Sequence, residues 1–152
     1  MEITYQLKQF NDLTNRELYQ ILKLRQEVFV VEQQCIYVDN DGLDLGAFHL
    51  SGYLTHQLVA YTRMIPPGVL YENHISIGRV ITSQEIRSSG IGRDLMKRSI
   101  DLSRTLWPER AIMISAQSYL KEFYQSFGFI QSGEEYMEDG IPHFHMILDQ
   151  IS

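Results

Sequence analysis

Ile75-Ser76-Ile77-Gly78-Arg79-Val80-Ile81-Thr82, followed four residues later by Arg87-Ser88-Ser89-Gly90-Ile91-Gly92, is the stretch on which the reading of this chain turns. The first part is apolar and strand-like. From Ile91 onward Leu95, Met96, Ile100 and Leu102 predict a long amphipathic helix that Pro108 terminates. Two closely spaced glycines between a strand and a helix let the backbone bend without a β-carbon clash. Several N–H groups can then point into one concavity, and the helix adds its positive dipole end. Such a turn is a candidate cradle for a pyrophosphate. Glycine also serves purely steric ends in strand-to-helix turns, so the rest of the chain has to decide between the two.

With 152 residues and 44% hydrophobic content, the chain is long enough for one domain with a real core and too short for two, so residues 1–152 read as a single domain. A net charge of −6 argues against nucleic acid as a partner, because a phosphate-binding face carries a basic excess; it favours cationic ligands instead. One cysteine, Cys35, excludes an intramolecular disulfide, and Met1 to Tyr5 lacks a basic region followed by an apolar run. No apolar stretch approaches the ~20 residues that cross a bilayer. The expectation is a cytoplasmic protein with no membrane partner.

Around the central stretch the periodicities alternate. Ile3, Tyr5 and Leu7 predict a strand over Glu2 to Gln9. After Thr14-Asn15, with Glu17 in the first turn, Leu18, Ile21, Leu22, Arg25, Val28 and Phe29 predict a helix ending near Glu32. An acidic loop, Gln33 to Gly46, precedes a hairpin of Ala47–Leu54 and Gln57–Ile65 turning at Thr55-His56. Past the glycine turn and its helix, the apolar run Ala111 to Ala116 reads as a central strand covered on both faces. Tyr119 to Phe127 reads as a helix stopped by Gly128. Phe129–Met137 and Phe144–Leu148 then read as a strand pair around Asp139-Gly140. The order β-α-ββ-β-α-β-α-ββ is a mixed α/β layer structure.

Residues 77–82 (Ile-Gly-Arg-Val-Ile-Thr), Arg87-x-x-Gly90-x-Gly92 and Phe123-Tyr124-Gln125-Ser126-Phe127-Gly128-Phe129 together resemble the GNAT family of acetyl-coenzyme A-dependent N-acetyltransferases. Leu24-Arg25, residues 28–33 (Val-Phe-Val-Val-Glu-Gln), the loop from Asp39 to Asp44, Trp107-Pro108 and residues 138–143 (Glu-Asp-Gly-Ile-Pro-His) are similar to its ElaA-like members. The likeness covers nearly the whole length. It departs from the family at Gln84, where proline is common, at Gln117, where asparagine is common, and at Ser88-Ser89, where Gly-Lys or Gly-Arg is common. The resemblance implies a twisted, mostly antiparallel sheet of six to seven strands with helices on both faces, and possible homodimers through terminal strands.

It also implies a site. The backbone of Arg87, Ser88, Ser89, Gly90, Ile91, Gly92 and Arg93 would take the coenzyme pyrophosphate. A bulge near Val80 would splay the strand and turn the Val80 N–H to the thioester oxygen, while Ile81, Thr82 and Gln117 would line the pantetheine arm. Tyr124 would be the general acid, since a phenol of pKa ~10 can protonate a departing thiolate. The general base is open among Glu32, Glu138, Asp139, His143 and His145; Glu32 ranks first from its place at the helix end beside the acidic loop. The partner would be a small-molecule or peptide amine, drawn in by Asp39, Asp41, Asp44, Glu134, Glu135, Glu138 and Asp139. No metal is expected: His143 and His145 share a sheet face but lack a third ligand at suitable spacing. Cys35 lacks a histidine placed to activate it as a nucleophile. Two rivals remain, an acyl-homoserine-lactone-synthase-like enzyme using another acyl donor, and a coenzyme A-binding module without turnover.

Overall fold

The structure, a computed structural model, describes residues 2–149. Its strands are β1 (Thr4–Gln9), β2 (Phe48–Leu54), β3 (Gln57–Ile65), β4 (Ile75–Thr82), β5 (Ile112–Gln117), β6 (Ile130–Glu138) and β7 (Ile141–Leu148). The helices are α1 (Asn15–Arg25), α2 (Ile91–Leu106) and α3 (Lys121–Gln125). One sheet holds all seven strands in the order β1-β2-β3-β4-β5-β7-β6, and only the β4–β5 pairing is parallel.

α1 starts at a capping box. The Glu17 amide donates to Thr14 Oγ1 at 3.1 Å, and the Thr14 amide donates to Glu17 Oε1 at 2.8 Å. Gln6 Nε2 at 2.7 Å and Lys8 Nζ at 3.0 Å tie the same carboxylate to β1. Partial burial pushes the Glu17 carboxyl up, but the Thr14 amide and then Gln6 and Lys8 outweigh it and hold the group down at about 2. A carboxyl depressed below its unfolded value stabilises the fold above about pH 4.5 and loses that contribution as the pH falls towards 2. Glu17→Gln is therefore expected to flatten the acid limb of the stability profile, read by urea unfolding across the acidic range. An unchanged limb would refute the assignment.

Past Arg25 the helix continues, but Gln26–Glu32 winds as a wider π turn. Such turns rotate side chains off the regular helical face and cluster at functional sites. β3 shows why helices cover both faces. On one side Tyr61 joins a cluster with Ile21, Leu24 and Val28 of the first helical segment. On the other, Thr62 shares a 2.8 Å hydrogen bond with Ser99 of α2. Successive strand residues thus face α1 and α2 in turn.

Two expectations need correcting here. β5 is not covered on both faces: Ile112, Ile114 and Ala116 are buried, whereas Met113, Ser115 and Gln117 are half-buried, with Ser115 and Gln117 along a cleft. Its alternate side chains therefore serve core and site. The last strand begins at Ile141 rather than Phe144, because Pro142 opposes Met137 at the start of the strand, where its missing N–H costs the ladder little.

Candidate active site

β4 and β5 are paired only at Ile75–Ile112 and Ser76–Met113, after which they diverge. The rest of β4 offers its backbone on that side to a cleft of about 380 Å³. Four residues of β4, Gly78 to Ile81, oppose three of β3, Tyr61 to Arg63, so β4 carries a bulge at Arg79-Val80. Arg79 takes the left-handed conformation there, with φ +50°. The cleft is closed by Val28, Phe29 and Glu32 of the π turn, by Phe123 and Tyr124 of α3, and by the β6–β7 turn. An unpaired strand edge inside a cleft is a template for an added extended chain.

At one end of the cleft lie Thr82, Arg87 and Gly92. Ser88 and Gly90 both have positive φ, +68° and +86°, and turn the chain into α2. Gly90 is the N-cap and no side chain caps the first turn, so the amides of Ile91, Gly92 and Arg93 lack capping side-chain partners. A β-carbon at Gly92 would meet only the Thr82 methyl, at 3.9 Å, an ordinary contact. Packing within the protein therefore does not demand glycine there, and the backbone is left open to close approach from the cleft. The side chains of this loop turn elsewhere. Ser89 donates to the Ile86 carbonyl, and Arg93 lies 4.8 Å over the Phe127 ring with Nη2 2.7 Å from Ser126 Oγ. The side chains of Ser89 and Arg93 are thus engaged within the protein.

Tyr124 is 7% exposed and packs edge-on against Phe123 and Phe129, with centroids 5.1 Å and 6.0 Å away. Burial first, and Tyr119 second, push its phenol well above the ordinary value. The group is therefore fully protonated at neutral pH. Among the described residues nothing shares a hydrogen bond with its hydroxyl, which leaves the proton available to a ligand in the cleft.

Glu32, the first-ranked base, is engaged. Arg87 donates to it from Nη1 at 2.6 Å and Nη2 at 3.0 Å, while its Nε and Nη2 reach the Thr82 carbonyl at 3.3 Å and 3.1 Å. Both of its carboxylate oxygens are thus engaged by the Arg87 guanidinium. His143 is held differently. It is 6% exposed, lines the cleft, stacks on Tyr136, and directs Nδ1 to the Ile141 carbonyl at 2.7 Å. A carbonyl only accepts, so Nδ1 donates there, and Nε2 lies 3.5 Å from Glu138 Oε2. Glu138 and Asp139 also line the cleft, whereas His145 stacks on Tyr136 at 4.6 Å and lies outside it. Cys35 Sγ approaches the Asp139 carbonyl at 3.3 Å. Among the described residues, no group of three or more His, Cys, Asp or Glu side chains is arranged to hold a metal ion.

The acidic loop differs most from expectation. Asp39, Asp41 and Asp44 do not offer charge to an amine; they neutralise Arg25, Arg63 and Arg79 within the protein. Sequence reasoning gave Arg63 and Arg79 no role. The available signal was Arg25 itself, an arginine within an apolar helical row, which folding had to bury with a partner.

The family profile described as an acetyltransferase (GNAT) domain matches residues 44–150. The ElaA protein of Escherichia coli is 41% identical over 151 residues, 98% of each chain, and a UPF0039 protein of Synechocystis is 45% identical over 148 residues, 97% of this chain and 96% of that one. Among solved structures, an acyl-CoA N-acyltransferase from Pseudomonas aeruginosa superposes with a TM-score of 0.92 at 42% identity, covering 96% of this chain and 99% of that one. Escherichia coli ElaA superposes at 0.90 and 40% identity with the same coverage.

Proposed function

The chain belongs to the GNAT acetyltransferases as an ElaA-like member, and on that footing we propose that it moves an acetyl group from acetyl-coenzyme A to a primary amine in one ternary complex. One observation carries the reading. A single cleft runs from the uncapped start of α2, along the open edge of β4 and past its bulge, to Tyr124 and His143. The solved N-acyltransferase at 42% identity is named for an acyl-CoA donor, which supports the choice of carrier.

Main-chain amides from Ser88 to Arg93 hold the pyrophosphate, with Arg87 able to reach it once released from Glu32. The β4 edge at Ile81-Thr82 holds the pantetheine arm as an added strand, and Gln117 borders it from β5. His143 Nε2 takes the ammonium proton, with Glu138 and Asp139 drawing the cation in. The Val80 N–H receives the developing oxyanion, and Tyr124 protonates the departing thiolate. Burial raises the basicity of the phenolate and of the buried thiolate alike, so the match between them survives desolvation. Calorimetry should show coenzyme A binding, and a panel of primary amines should release thiol from acetyl-coenzyme A. No coenzyme A binding would overturn the reading, and binding with silence on every amine would leave a non-catalytic module.

The fold likeness extends, at a TM-score of 0.80 and 14% identity, to a coenzyme A-dependent acyl-homoserine lactone synthase. Profiling acetyl-coenzyme A against longer acyl thioesters and acyl-carrier protein separates that donor choice from the acetyl one.

Both partners of the Arg87–Glu32 pair are about a third exposed, with side chains at 38% and 33%. Exposed pairs contribute under about 1 kcal/mol. The pyrophosphate competes for the same guanidinium, so Glu32→Gln should tighten coenzyme A binding by about two- to fivefold in calorimetry and leave kcat intact. Unchanged affinity with a collapse of kcat would return the base to Glu32.

A further inference from the structure

Arg79 stands in the left-handed region at φ +50°, where side chains other than glycine, asparagine and aspartate are rare. It does so at the bulge that sets the direction of the Val80 N–H. A strained backbone persists only when its surroundings over-determine it. Here they do. Arg79 Nε meets Asp39 Oδ1 at 2.8 Å and Nη2 meets the Asp39 carbonyl at 3.1 Å, with the guanidinium 5.9 Å over the Phe29 ring.

Asp39 is itself anchored. Arg25, fully buried on α1, reaches its Oδ2 at 2.6 Å and its carbonyl at 3.2 Å, and Tyr37 donates its hydroxyl to Oδ1 at 3.1 Å. Arg25 Nη1 and Arg63 Nη1 meet on Asp44 Oδ1 at 2.7 Å and 3.0 Å, and Arg63 grips both oxygens of Asp41. Arg63 pairs with Gly78 across β3 and β4, at the foot of the bulge. The ties thus close a circuit through α1, the acidic loop, β3 and the bulge.

A buried ionic network is weak evidence for stability, because desolvation offsets much of its attraction. Its geometric effect is different: it fixes the position of whatever it holds. We propose that Asp39 and Arg79 are positioning residues for acyl transfer, locking the β4 bulge so that the Val80 amide stays aimed into the cleft. The inference rests on the proposed contact between Val80 N–H and the thioester oxygen. Neither side chain needs to touch the substrate, and a displacement of about 1 Å in an oxyanion donor is enough to lose much of its effect.

The test compares Asp39→Asn, Arg79→Lys and Arg79→Gly with the wild type. Glycine accepts the left-handed conformation without strain, so Arg79→Gly keeps the fold while cutting the tether. Turnover is expressed per coenzyme A-binding site, which removes any loss of folded protein. Arg79→Gly and Asp39→Asn are expected to lower kcat by about 10²-fold, with coenzyme Kd and amine KM within about twofold, and Arg79→Lys is expected to recover part of the loss. In ¹⁵N spectra, the Val80 amide should move on addition of acetyl-coenzyme A in the wild type and fail to move in Arg79→Gly. An unchanged kcat per site in Arg79→Gly would overturn the positioning role, whatever happens to melting temperature. A raised amine KM with kcat kept would overturn it in favour of direct acceptor contact. A wild-type Val80 amide indifferent to the acetyl group would refute the oxyanion contact itself, and this outcome is distinguishable because it needs no variant.

Discussion

Tyr124→Phe is expected to lower kcat by about 10²- to 10⁴-fold while coenzyme A binds within about twofold of the wild type. The ring fills the same space between Phe123 and Phe129, and the hydroxyl has no hydrogen-bond partner among the described residues to lose. Stability should therefore stay within about 0.5 kcal/mol. On the role proposed for Tyr124, what disappears is a proton presented to the leaving group, which matters only as the carbon–sulfur bond breaks. Thiol release under saturating acetyl-coenzyme A, with calorimetric Kd, checks both halves. Undiminished turnover would remove Tyr124 from the chemistry. A parallel loss of coenzyme affinity would make it a packing residue of the cleft wall.

How much of this was legible in the chain differs between fold and site. Element order followed from periodicity, because a strand such as β1, whose Tyr5 and Leu7 pack on the core, and a helix such as α2 with one buried stripe write their geometry into residue spacing. The glycine turn was legible for a related reason: Gly90 has φ +86°, which few other residues accept. The divergence of β4 from β5 was not. It depends on where hydrogen bonds stop, at Ser76–Met113, and no side chain reports this; only the family resemblance led to it.

Charge was the least legible property. Asp39, Asp41 and Asp44 look in sequence like a solvated acidic loop, and only tertiary contact brings Arg63 and Arg79 to them from two other strands. The same holds for Glu32 and Arg87, 55 positions apart in the chain. Nor does the sequence, which ranks Glu32 first as the base, show that His143 directs Nδ1 to the Ile141 carbonyl. Acceptors and donors at a turn are backbone matters on which residue type is silent.

The largest effect on stability should come from Arg25. Its side chain is inaccessible to solvent and makes ion pairs of 2.6 Å and 2.7 Å to Asp39 and Asp44. It also lies 5.9 Å over the ring of Tyr61, which is wholly buried. Arg25→Ala removes the cation and leaves two buried carboxylates with fewer partners, an expected cost of about 3–5 kcal/mol. For a chain of this length that is a fall in melting temperature of about 6–20 °C. Burial raises the Asp44 carboxyl, yet Arg25 and Arg63 together hold it below the usual range, so it stabilises the fold above its unfolded value and loses that contribution as the pH falls. Without Arg25 the depression shrinks. The deficit of the variant should therefore be greatest at neutral pH and narrow in acid, where Asp44 of the wild type is protonated too. Arg25→Met, which restores most of the volume but no charge, should recover only the cavity share. A deficit under about 1 kcal/mol, or one that does not change with pH, would mean that water reaches these carboxylates and that the network is not the closed circuit its distances describe.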